Sequence, residues 1–184
     1  MDQVVTEHIK ILLQSKSFRA PVTAKIIDKS IEILNTIFNS IEFRDRIIDN
    51  KFVCTNKPEL CGADNYISGK AVYDDLMSVA TISLHLKVKK LRNLWKRRIS
   101  KTKGETKLAG NTIKSYTWWL RNRNENELII VYASHVGHEI FHTNYYKYKH
   151  NPKKGSSAFD NEKDVTYKID DIIEELIRKH FNNL

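Results

Sequence analysis

The 184-residue chain has two cysteines, three prolines, six glycines, and no apolar run near the ~18–20 residues that cross a bilayer. Lacking such a run, it is expected to be soluble and to make no use of a membrane. The start, MDQVVTEHIKILLQSKSF, lacks a basic stretch, an apolar stretch and a small-residue cleavage site in that order. A cytoplasmic protein is therefore expected. Cys54 and Cys61 flank TNKPEL and could pair, but that compartment favours two reduced thiols. Repeats and low-complexity tracts are also missing.

The chain is rich in apolar and aromatic residues: 41% are hydrophobic, with eight Tyr, seven Phe and three Trp. That suits a folded protein, read as one domain over residues 1–184, large enough to bury a core without metal or disulfide staples. Net charge is +9. Much of it falls in KVKKLRNLWKRRISKTKGETK, residues 87–107, where Glu105 is the sole acid. Such a run attracts polyanions, nucleic acid among them, by counterion release; the alternative is a solvated surface.

Apolar spacing predicts a helix over residues 21–40, with Pro21 near its start, and a short helix in EFRDRII. KFVCT reads as extended, residues 55–69 as loop, and SGKAVYDDLMSVA as helix. TISLHLKVK alternates cleanly and reads as a half-buried strand, with His85 on its polar face. TIKSYTWWL reads as a second strand. ELIIVYASHVGHEIFH opens either as a strand or as the first turns of one long helix. A final helix is expected over about 161–180. The order is that of an α+β protein, with a helical N-terminal part (1–55) and a second part (80–184) holding a small sheet and two helices.

Within ASHVGHEIFHTNYYKYKH lies H-E-I-F-H. At helical spacing, His138 and His142 share a face and can grip one ion, while Glu139 can take a proton from water. A metal there would lower the pKa of water and polarise a carbonyl, with Glu139 as general base and then proton donor to the leaving amine. The residues around the motif, from Leu128 to Val136 and at Ile140 and Phe141, are uncharged, as a buried helix requires, and Gly137 is read as giving room beside the metal. Zinc suits these ligand types. The third ligand is His150, eight residues after His142, or Glu162, twenty after it; His150 is favoured. Two core histidines held by hydrogen bonds are the alternative. His135, three residues before the motif, reads as surface, the alternative being a place behind the metal ligands. Asp170 and Asp171 read as helix N-terminal acids or as partners of a ligand histidine. Trp118 and Trp119 read as packing residues.

From HEIFH to VTYKIDDIIEEL, mainly residues 134–176, the chain resembles small zincin-type metallopeptidases of bacteria and their phages. There H-E-x-x-H is followed by an aromatic-containing stretch, a third histidine, and a V-P-Y element that opens a final helix. The corresponding residues here are His138, Glu139, His142, His150 and Val165-Thr166-Tyr167. The resemblance implies a zincin-like fold, a bound Zn2+, and a protein or peptide substrate. It also implies that Tyr167 approaches the metal, where its phenol would stabilise an oxyanion; the other reading is a buried aromatic. Two further functions stay open. One is a nucleic-acid-binding protein using residues 87–107. The other is a zincin fold that has lost catalysis and serves as an interaction module.

Overall fold

The computed structural model describes residues 9–90, 103–107, 110–150 and 164–181. Elements run in the order β1 (Lys10–Ser17), α1 (Ala24–Phe38), α2 (Ile41–Ile48), β2 (Lys51–Val53), β3 (Tyr66–Ser68), α3 (Gly69–Met77), β4 (Thr81–Lys89), β5 (Gly104–Thr106), β6 (Thr112–Tyr116), α4 (Glu125–Ile140) and α5 (Val165–His180). The class is α+β, as expected. No described helix is long and apolar enough to cross a membrane.

The main sheet has the order β1-β4-β6-β5. Its first three strands are parallel, and β5 runs antiparallel to β6 at the edge. The alternation read in TISLHLKVK is realised in β4, where Ile82, Leu84, Leu86 and Val88 are buried. β1 corrects the expectation of a helical N-terminal part. Leu13 and Ser15 bracket a register shift, which breaks the period-two pattern that marks a strand in sequence. The outer edge of β1 is covered by two side-chain amides one turn apart on α1. Asn35 Oδ1 accepts from Ile11 N–H at 2.7 Å, and Asn39 pairs with both Ile9 N–H and its carbonyl at 3.0 and 2.8 Å. A strand edge closed this way cannot template another chain there.

α1 starts later than Pro21, because the Thr23 side chain accepts from Ile26 N–H and caps it. Its buried stripe of Ile26, Ile27, Ile31, Leu34 and Phe38 packs on α4. The long-helix alternative holds for ELIIVYASHVGHEI: Asn124 caps α4 by accepting from Glu127 N–H, and the helix is buried almost throughout from Leu128 to Ile140. Without charge between Glu127 and Glu139, nothing opposes that burial. TIKSYTWWL is strand only to Tyr116; Thr117–Trp119 turns as a short 3-10 helix.

The Cys54–Cys61 expectation is overturned: the two are disulfide-bonded. The β2–β3 hairpin folds the intervening loop back and sets their Cα atoms 5.2 Å apart, inside the range a disulfide spans. Geometry, not compartment, decides this pair. Part of the basic segment, residues 91–102, lies outside the described residues, as does Glu162.

Candidate metal centre

His138 and Glu139 lie in the last turn of α4, but His142 does not. The helix ends at Ile140. Phe141 N–H donates to the His138 carbonyl and His142 N–H to the Glu139 carbonyl, so the final turn tightens to three-residue bonds. The two rings still meet, with centroids 5.2 Å apart. The chain then turns at Asn144–Lys147 and returns along α4, where Tyr148 N–H reaches the Phe141 carbonyl at 2.8 Å. This return delivers His150. One nitrogen each from His138, His142 and His150 lie within 4.8 Å of one another, a set that could hold a metal ion. His138 and His142 are buried at 7% exposure; the His150 side chain is 42% exposed and forms the open side. The C-terminal end of a helix, with its partial negative charge, favours a cation there.

Hydrogen bonds fix which nitrogen of two rings is free. His142 Nδ1 is 2.6 Å from the Tyr148 carbonyl, which can only accept, so Nδ1 carries the proton. Thr166 Oγ1 donates to Asp164 at 2.8 Å. The contact of His150 Nδ1 with that same oxygen, at 3.2 Å, must therefore be a donation by the ring. Each neutral ring is left with its lone pair on Nε2, and these two atoms face each other at 3.0 Å. Two lone pairs at that distance repel; a proton or a metal cation between them removes the conflict. Burial, reinforced by His150, holds His142 down at about 4, which disfavours a proton on that ring. His138 Nδ1 is buried with no hydrogen-bond partner among the described residues, a state that costs about 1–3 kcal/mol. Burial holds His138 well below the ordinary imidazole range. The donor set and its tautomers fit a metal.

Glu139 is 6% exposed, and burial pushes its carboxyl up to about 7. The Thr106 hydroxyl on β5, close to the carboxyl, pulls the other way. The Tyr167 ring stacks on His150 with centroids 5.0 Å apart and lies 5.2 Å from His138, so the structure brings it to the triad.

Three readings change. His135 is buried at 5% exposure, not on the surface: its Nε2 meets Ser115 Oγ at 3.1 Å, its ring packs on Trp119, and its Nδ1 is 3.9 Å from Glu139. A helix stripe facing a sheet has no exposed side, which the residues alone did not show. Gly137 makes room for Ile173 of α5, not for metal: a Cβ there would lie 2.3 Å from Ile173 Cδ1. Asp170 bonds Ser134; the acid behind a triad histidine is Asp164, acting through Thr166.

Asp164 and Asn56 were not singled out from the sequence, and Thr166 was named only as the middle of Val165-Thr166-Tyr167. Asp164 and Thr166 carry one legible signal, a D-x-T start to a helix; Asn56 carries none. No protein-family model, curated protein or solved structure matches the chain.

Proposed function

We propose that the protein is a zinc-dependent metallopeptidase. The observation that carries this reading is the pair of Nε2 lone pairs of His142 and His150 converging at 3.0 Å beside His138. Three nitrogens bound at about 2.0–2.1 Å in tetrahedral directions stand roughly 3.3 Å apart, close to that spacing. His138, His142 and His150 would hold the ion, leaving a side open toward His150 for substrate. When bound, zinc would lower the pKa of water and polarise the scissile carbonyl.

Glu139 is the proton carrier. Its carboxylate takes a proton from the attacking water and gives it to the leaving amine nitrogen. A carboxyl near 7 without metal is drawn lower by a nearby cation, which keeps it ionised and ready to accept at neutral pH. The Tyr167 phenol donates to the oxygen on which negative charge develops. β5 ends the described sheet, and its outer edge can align an extended peptide by strand addition. The helix under a mixed sheet, with an antiparallel edge strand beside the glutamate, supports a zincin-like arrangement.

Turnover of an unstructured protein substrate by the zinc-loaded chain, and by Glu139→Gln, tests this. Glu139→Gln is expected to keep its zinc and lose turnover by a factor of about 100 or more. Undiminished turnover in that variant contradicts the mechanism.

A further inference from the structure

The disulfide-closed loop reaches the groups that orient both His142 and His150. Asn56 lies in it, fully buried. Its backbone carbonyl accepts from Lys149 N–H at 2.9 Å, and its Nδ2 donates to the Lys149 carbonyl at 2.6 Å. Nδ2 also donates to Asp164 Oδ2 at 3.0 Å, while Oδ1 accepts from Val165 N–H at 3.2 Å. Val165 N–H can only donate and the Lys149 carbonyl can only accept, so the amide has one orientation. Asn56 thus clamps the residue before His150 to the start of α5, whose Asp164 and Thr166 receive the His150 ring. Next to it, Lys57 pairs with Asp75 and lies 5.0 Å from the centre of the Tyr148 ring. Tyr148 is the residue whose carbonyl fixes His142.

Stacking on Tyr167 places the exposed His150 ring, and two further holds fix its direction. Its ring is held by Thr166, and its backbone by the residue next to it. Both holds pass through Asn56. The Cys54–Cys61 bond in turn closes the loop that carries Asn56, so fewer loop conformations compete with the clamped one.

We propose that Asn56 is a positioning residue for metal binding, presenting His150 to the ion, and that the Cys54–Cys61 disulfide holds it in place. This rests on the reading of His138, His142 and His150 as a metal triad. Groups behind the ligands of a metal site typically change affinity 10–100-fold when removed.

The test is zinc affinity of the full chain, by competition with a chromophoric chelator, together with the visible spectrum of the cobalt form. Wild type, His150→Ala, Asn56→Ala, Asn56→Asp and Cys54→Ser/Cys61→Ser are compared with Asn35→Ala. Asn35 makes similar backbone bonds, but to β1, so its loss is expected to lower stability and leave zinc affinity and the cobalt spectrum unchanged. Asn56→Ala is expected to bind zinc about 10–100-fold more weakly, with a cobalt spectrum shifted toward that of His150→Ala. Asn56→Asp fills the same volume but lacks both Nδ2 donations, so it should match Asn56→Ala; packing alone would leave it like wild type. The double serine variant should bind about tenfold more weakly, and it carries the comparison if the Asn56 variants do not fold.

If wild type binds and His150→Ala binds weakly, but the Asn56 and serine variants match wild type, the proposal is overturned and the triad stands. If His150→Ala binds as wild type does, the proposal falls because His150 is not a ligand. If wild type binds no metal, the triad reading and the proposal fall together.

Discussion

His135, His138 and His142 are each held below the ordinary imidazole range by burial, His135 at about 3 and His142 at about 4. Unfolded, each ring takes up a proton as pH falls through 6.5. Folded, His135 and His142 resist until about 3 and 4. Their contribution to stability is therefore complete above pH 6.5 and is lost as pH falls toward those values. Glu139, Asp170 and Asp171 act oppositely, since burial raises all three and their charged forms weaken the fold as pH rises. Between pH 7 and 5 the unfolded chain gains a proton on each of three rings, whereas Asp170 and Asp171 start from the lower value of 3.8, so the urea midpoint of metal-free protein should fall from about pH 7 to about pH 5. A flat or rising midpoint over that range would contradict the burial of neutral rings. A second residue test concerns Gly104. A Cβ there would lie 2.5 Å from the His135 ring and 2.6 Å from the Lys114 carbonyl, and backbone cannot give way cheaply. Gly104→Ala should destabilise by about 1–3 kcal/mol in a denaturant melt.

At the scale of elements, what was legible in the sequence is what repeats locally. β4 shows its alternation, α1 its apolar stripe, and α4 its long uncharged run. β1 and β5 were missed for different reasons. β1 carries a register shift that disrupts its pattern, and β5 is three residues long with no apolar side chain. The histidine spacing was legible because ligand types are few, although His142 falls just past the end of α4. The Asn56 clamp was not, because its partners lie 93 to 109 residues away and an asparagine in a loop has many uses. Asp164 joins these elements. It caps α5 by accepting from Thr166 N–H at 3.0 Å and also receives Asn56. Asp164→Ala should cost about 0.5–2 kcal/mol through the lost cap, and more through the donors left buried, seen as a fall of several degrees in Tm. An unchanged Tm would show that the cap contributes nothing to the fold.

On the scale of the whole molecule, α4 is an almost fully buried rod packed by α1, α5 and the edge of the sheet. Its C-terminal end, the return through Tyr148, and the start of α5 meet at three histidines. Two Nε2 lone pairs set together cost stability that a cation between them would recover. Zinc at about 100 times its Kd should therefore add about 2.7 kcal/mol by binding the folded state alone.

The measurement that tests the central claim most directly is elemental metal content of the purified chain, wild type beside His142→Ala. The account predicts about one zinc per wild-type chain and none in the variant. A wild-type chain that takes up no metal, even after zinc is added, would contradict it and leave H-E-I-F-H as buried histidines at helical spacing.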